Sequence, residues 1–292
     1  MHNFTKSDVS IEDNLKDVKR KLQSPKKEFF ASKYDILRSC LEHYDAKGER
    51  DELHTLSPLL IISPDDSSAT REQKTKWQKY ANELYGSSRT FVNNHWERLK
   101  VLNGGETLMC PICGLTECEE MDHYVPREIK SYPEYSSHLS NLIPLCHKCN
   151  HDKSIKFLNE AGERIFFNAF YDILNNREIL TCVIELDKTE GLPYITINIS
   201  PSLDSARKPD KYILSTIDEL KLIPRFKTRA KQLFKKELVR LEGRKDKTWE
   251  TICTDLASAV DIPADDPDIV YYAVIKAMIN SDVLKCWYDS LT

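Results

Sequence analysis

Residues 110–153 carry most of the side chains in this chain that could do chemistry. They read Cys110-Pro-Ile-Cys113, then Asp122-His123-Tyr-Val-Pro126, then Asn141-Leu-Ile-Pro-Leu-Cys146-His-Lys-Cys149-Asn150-His-Asp-Lys153. Thiolates two residues apart in a tight turn grip one ion, and two such turns complete an S4 tetrahedron at Zn–S of about 2.3 Å. Cys110 with Cys113 and Cys146 with Cys149 therefore predict a closed structural zinc site. Pro111 suits a rigid turn between ligands. Buried free thiols are the plainer explanation of a cysteine, but they do not account for two spaced pairs. Asp122, His123 and Asn150 suit another kind of site. A carboxylate and an amide oxygen, completed by water and phosphate, make the partial shell that Mg²⁺ or Mn²⁺ accepts.

The Asp122-His123 dipeptide says little alone, since a lone histidine is usually a satisfied polar group. Its place between the cysteine pairs, followed by Tyr-Val-Pro, gives it meaning. Neighbouring side chains on a strand point to opposite faces. At a strand end or bulge, Asp122 can reach a metal while His123 faces an attacking water. Asn150 falls in the first turn of a helix expected to run through Lys153 toward Leu158. His151 is second in rank to Asn150 as a ligand, and His147 is expected to face solvent or touch a phosphate.

These residues resemble the HNH endonuclease family, the ββα-metal nucleases, in the branch where two Cys-x-x-Cys knuckles brace a hairpin and a helix. The matching positions are Asp122-His123, Asn141 in Asn-Leu-Ile-Pro-Leu, and Cys146-x-x-Cys149-Asn150 with Lys153. The segment is similar to the phage endonuclease VII type, where an asparagine also follows the last zinc cysteine. The resemblance covers about 48 of the 292 residues, and its third position is Asn150 rather than histidine. It implies one-metal phosphodiester hydrolysis, with zinc as structural cofactor and Mg²⁺ or Mn²⁺ as catalytic cofactor. His123 is then the general base, in need of a neutral imidazole for which the ordinary pKa of ~6.5 is suited. Asp122 and Asn150 hold the divalent ion. Asn141 ties down the loop and orients His123 through a backbone hydrogen bond, with plain turn-making as its rival role. Arg127 and Lys153 meet substrate phosphates or lie on a solvated surface.

The rest of the chain must position these groups. Apolar residues at three- and four-residue spacing predict helices over Ile11 to Leu22, Phe29 to His43, Arg71 to Leu84 and Phe91 to Leu102. Asp66-Ser67-Ser68 can cap the third, and Asn103-Gly104-Gly105 can close the fourth. Further on, Ile165 to Tyr171 is an apolar and aromatic block. Leu180 to Leu186 and Pro193 to Ile199 predict a hairpin around Lys188-Thr-Glu-Gly191. An amphipathic helix is expected over Ile217 to Glu242, bent or started near Pro224, and a final one from Pro267 to Trp287. The expected class is α+β and mostly helical, with a central zinc-stapled ββα module. Its expected divisions are 1–105 (helical), 106–160 (metal module) and 161–292 (hairpin and basic helix).

Composition bounds the remaining choices. With 40% hydrophobic and 30% charged residues the chain has the makeup of a folded globular protein. No apolar run approaches the ~18 residues of a membrane span, and Leu59-Leu-Ile-Ile-Ser63 is a buried strand or helix turn at best. The first residues lack an apolar stretch of signal-peptide length, so a cytoplasmic location is the default expectation. Of nine cysteines, Cys40, Cys118, Cys182, Cys253 and Cys286 follow no spacing rule and read as buried small hydrophobes. Cys118 could compete as a ligand, but the two pairs already close the tetrahedron.

Net charge is −4, yet Lys221 to Lys247 holds eleven Lys or Arg against three acids. That asymmetry fits either a phosphate-binding face or a solvated helix. Nucleic acid, DNA first, is the expected partner. The helical flanks resemble those of bacterial anti-phage nucleases that act with an ATPase subunit. A stand-alone cutter and an effector held by an ATPase or other regulatory subunit both stay open. So does a non-catalytic zinc-knuckle module that only presents a helix to nucleic acid or protein.

Overall fold

The computed structural model of the 292-residue chain describes residues 1–58, 67–86, 89–128, 131–174, 178–187, 194–260 and 268–291. Chain packing separates two compact units. One comprises Asn3–Ile112 and Thr116–Ile173, and the other Leu174–Thr292 with Met1–His2 and Cys113–Leu115. Among the described residues there are eleven α-helices and two antiparallel two-stranded sheets, an α+β chain dominated by helix.

The first unit opens with α1 (Ile11–Arg20), whose N-cap Ser10 accepts from the Asp13 amide while Leu15 and Val18 turn into the core. Phe29 to His43 forms two helices rather than one, α2 (Lys26–Ser32) and α3 (Tyr34–Glu49). The break is at Lys33, whose φ of −116° is not helical. Apolar periodicity carries across the break because Phe29, Phe30, Leu37, Leu41 and Tyr44 are all buried. Helix α4 (Arg71–Glu83) is capped by Thr70, which accepts from the Gln73 amide, and not by the expected 66–68 segment. Asp66 and the apolar run at 59–63 lie outside the described residues.

Helix α5 (Arg89–Leu102) closes as its sequence predicts. Gly104 takes φ +73°, and the Gly105 amide donates back to the Lys100 carbonyl at 3.2 Å. This six-to-one bond is the Schellman closure, and its left-handed residue is where glycine avoids the Cβ clash.

The metal motif folds into strands β1 (Glu120–His123) and β2 (Leu142–Leu145), then helix α6 (His147–Lys153). The strands pair antiparallel, Asp122 opposite Ile143 and His123 opposite Leu142. Pro144 is tolerated because a two-stranded sheet leaves each strand an open edge. Helix α6 stops at Ser154, where φ of +51° ends the helical path well before Leu158. The apolar block after it forms neither helix nor strand; Ile165, Phe166, Phe167 and Ala169 fill the core as irregular chain.

The second unit is built on strands β3 (Leu180–Asp187) and β4 (Tyr194–Pro201), paired antiparallel with Ile184 opposite Ile197. The hairpin matches the expectation, though its turn at 188–191 and Pro193 lie outside the described residues. The predicted helix over Ile217 to Glu242 is two helices, α7 (Lys208–Glu219) and α8 (Leu222–Glu242). They are divided at Lys221 by a left-handed φ of +48°, so a helix does start near Pro224, as one of the two expected alternatives has it, and is not bent there. Pro224 sits in the first turn of α8, where its missing N–H costs nothing. Helix α9 (Trp249–Val260) had no sequence expectation. The final predicted helix also divides, into α10 (Ile269–Ile279) and α11 (Asp282–Asp289); Ser281 caps α11 by accepting from Leu284, and Pro267 lies outside the described residues. Helix α8 packs on β4 and α10 on β3, burying Ile184, Ile197, Phe226, Val274 and Met278.

Candidate active site

The four paired cysteines converge. Sγ atoms of Cys110, Cys113, Cys146 and Cys149 all lie within 4.8 Å of one another, and all four residues are buried and reduced. Buried thiols this close, with no disulfide among them, fit a zinc-binding site of the closed structural kind. Backbone amides turn toward the sulfurs: Leu115 donates to Cys113 Sγ at 3.5 Å and Cys149 to Cys146 Sγ at 3.4 Å. Gly114, at φ +64°, makes the first of these turns possible. Cys118 is buried but stands outside the cluster, held through its backbone to Leu108.

Cys146 is also the N-cap of α6, so the sulfur cluster and the start of that helix are the same piece of chain. One turn on, Asn150 faces a cavity of about 370 Å³ together with Asp122, His123 and Arg127. Tyr85, in the turn after α4, and Asn82 on α4 contribute its wall.

His123 ends β1 with its ring buried. Its Nε2 lies 2.8 Å from the Ser136 carbonyl, which can only accept, so that nitrogen carries the proton and Nδ1 is left bare. The Tyr85 ring packs edge-on at 4.6 Å between centroids. Burial, helped by the charges of Arg127 and Lys153, pushes the imidazole pKa down to about 3. The ordinary value expected from the sequence is thus not what this environment allows. The ring is neutral across the neutral pH range and is a weaker base than a solvated histidine.

Asp122 is largely buried, and burial raises its carboxyl above the usual carboxylate range against the opposing pull of Lys153. Its Oδ2 lies 2.7 Å from the Lys153 ammonium and is paired with it. The same ammonium donates to the His123 carbonyl at 2.9 Å. Lys153, expected at a phosphate, is instead only 3% exposed and tied to the end of β1. A cationic side chain with two oxygen partners in hand is not free to meet substrate.

Asn150 Nδ2 donates to Glu120 Oε2, and the other Glu120 oxygen accepts from His147 Nδ1 at 2.8 Å. Hydrogen bonds from His147 and Asn150 hold the Glu120 carboxyl below its ordinary value. His151 is exposed, stacked on His147 at 6.2 Å, and does not line the cavity; Asn150 does. His147 itself is mostly exposed, as expected.

Asn141 is wholly buried and saturated. Its Oδ1 accepts from the Val125 amide at 2.7 Å and the Tyr44 hydroxyl at 2.9 Å, while Nδ2 donates to the Val125 and Tyr135 carbonyls at 3.0 and 3.1 Å. It ties the 125–135 loop. The His123 ring is held directly by the Ser136 carbonyl, one residue beyond a bond that Asn141 makes, while the Asn141 carbonyl accepts from the Tyr124 amide at 2.9 Å, next to His123 in the chain. Arg127 stands over the Tyr85 ring at 5.0 Å and donates to Asn82 Oδ1 at 2.5 Å, half-buried at the cavity wall.

The donor set fits a hard divalent cation. The Asp122 carboxylate and the Asn150 amide oxygen, both at the cavity, are oxygen donors of the type Mg²⁺ or Mn²⁺ takes with water completing the shell. Glu120 was legible in principle, since it stands two residues before Asp122 and so shares its strand face. Tyr85, Asn82 and Ser136 carried no such signal, because they come to the site through long-range packing.

No family model matches the chain, and no solved structure matches it. Among curated proteins the chain is similar to Protein ea31 of Escherichia phage lambda, 29% identical over 102 residues. The match covers 34% of this chain and 30% of that protein's length.

Proposed function

We propose that this chain is a metal-dependent endonuclease of the HNH kind, hydrolysing phosphodiester bonds in nucleic acid, with DNA the substrate to test first. The observation that supports this reading best is the convergence of Asp122, His123 and Asn150 on one cavity, from a hairpin and helix that the four cysteines bracket. A bare zinc knuckle needs none of those three.

The chain's own residues divide the work. His123, with its proton held on Nε2 by Ser136, offers Nδ1 to a water and takes its proton as the oxygen attacks phosphorus. The bond from phosphorus to the 3′ oxygen breaks, leaving a 5′ phosphate and a 3′ hydroxyl. An anionic phosphate beside the ring favours the imidazolium that forms, offsetting part of the depression caused by burial. Arg127 is placed at the wall to neutralise a phosphate oxygen. Asp122 and Asn150 would hold the divalent ion, and Lys153 fixes the end of β1 that carries Asp122 and His123. When bound, such an ion stabilises the charge that develops on the phosphate and the leaving oxygen.

The test is plasmid relaxation with Mg²⁺ or Mn²⁺. Wild-type protein is expected to nick supercoiled DNA, and His123→Ala to slow nicking by about 10²-fold or more. Equal rates for the two proteins would remove His123 from catalysis. Retention of nucleic acid without cleavage of DNA or RNA under either ion would leave a binding module.

A further inference from the structure

We infer that Glu120 is a positioning residue for the divalent-cation site: its carboxylate holds the Asn150 amide so that the carbonyl oxygen is the end left for the ion. This rests on the hydrolase reading above and adds a residue from outside the motif that suggested it.

An asparagine side chain ends in two groups of nearly the same shape, and only the oxygen can bind a cation. Turned the other way, Asn150 would present an NH2 group and repel the ion. Something must choose between the two orientations. Glu120 and Asp122 share one face of β1, being two residues apart on a strand. Helix α6 brings Asn150 against that face, and Asn150 Nδ2 donates to Glu120 Oε2. An ionised carboxylate accepts hydrogen bonds and cannot donate them, so the amide nitrogen must face Glu120 and the carbonyl must face away. Glu120 is itself held, since its second oxygen accepts from His147 Nδ1 at 2.8 Å. His147 is in turn anchored by its backbone amide, which donates to the Glu119 carboxylate at 3.2 Å. The chain of contacts runs from β1 through two side chains of α6 and back, and Asn150 is the member that lines the cavity.

The expected consequence is a loss of cation affinity that passes through Asn150. Mn²⁺ is titrated into the full-length, zinc-loaded protein and the free ion followed by electron paramagnetic resonance, with no substrate present. Glu120→Ala and Asn150→Ala are each expected to weaken Mn²⁺ binding about tenfold. The double variant is expected to bind no more weakly than Asn150→Ala alone. Glu120→Gln, whose side-chain carbonyl can still accept from the amide, is expected to stay within about threefold of wild type. Zinc content and thermal unfolding confirm the fold, and the Glu120 side chain is 37% exposed, so its truncation opens no buried hole. Wild-type affinity in Glu120→Ala overturns the inference. Losses that multiply in the double variant also overturn it, because they make Glu120 an independent ligand, and a Glu120→Gln protein as weak as Glu120→Ala makes its charge the operative property. If Asp122→Ala removes Mn²⁺ binding while Glu120→Ala keeps it, only this inference fails. If wild-type protein has no Mn²⁺ site sensitive to Asp122→Ala, the cation site of the hydrolase reading fails with it.

Discussion

Asn141 and Lys153 show how the same residue types serve different ends once buried. Lys153 was a candidate for contact with substrate and Asn141 for tying down the loop, and both are interior braces: Asn141 uses both ends of its amide on four partners, and Lys153 clamps the Asp122 carboxylate to the His123 carbonyl. Removing one partner of a buried hydrogen bond strands the other at about 1–3 kcal/mol. Asn141→Ala strands the Val125 amide and carbonyl, the Tyr135 carbonyl and the Tyr44 hydroxyl together. Relaxation recovers part of the loss, so the expected destabilisation is about 3 kcal/mol, read as a lowered urea midpoint at unchanged slope. A variant within about 0.5 kcal/mol of wild type would mean that the 125–135 loop is held by something other than this amide. His123 is the converse case. Its burial was not visible in the sequence, yet burial keeps it neutral and leaves Nδ1 as the acceptor.

At the scale of elements, the hairpin β1–β2 and helix α6 are coupled to the cysteine cluster because Cys146 is at once a ligand position and the helix cap. Helix α8 poses a separate question of charge. Arg229 pairs with Asp268, and Arg240 with Glu237, so neither is free for a polyanion. Lys227, Lys231 and Lys235 are exposed, stand four residues apart on one stripe, and have no acidic partner among the described residues. If nucleic acid runs along α8, reversing these three charges to Glu should weaken DNA binding. The slope of log affinity against log salt should fall in magnitude by about three. Fluorescence anisotropy across a salt series measures both. An unchanged slope would assign the stripe to solvent, the plainer reading of a charged helix face.

At the scale of the whole molecule, buried neutral histidines set an acid limit. His95, on α5, is 2% exposed, lies 3.3 Å from the Leu142 carbonyl, and is pushed by burial to a pKa of about 4. Its unfolded value is near 6.5. Below that value the unfolded chain takes up a proton that the folded chain refuses, so stability is full above pH 6.5 and is lost as pH falls toward 4. His95→Gln, which keeps a donor for Leu142 but cannot titrate, should lose less stability between pH 7 and pH 5 than wild type. Urea unfolding at the two pH values gives that difference, and equal losses would exclude His95 as a source. What the sequence determined by itself was local: the cysteine pairs, the Asp122-His123 and Asn150 positions, the Gly104 helix closure and the β3–β4 hairpin. Each follows from ligand spacing, backbone permissiveness or a period-two pattern, and none needs a distant partner. Apolar periodicity ran through Lys33, Lys221 and Asn280 without marking the helix breaks there, because buried faces continue across a turn when both helices pack on the same core. Only tertiary structure decided that Lys153 faces inward, that the Ser136 carbonyl holds the His123 ring, and that Tyr85 and Asn82 wall the cavity. Those outcomes depend on which surfaces bury one another, and burial of a polar group is settled by its partners in space.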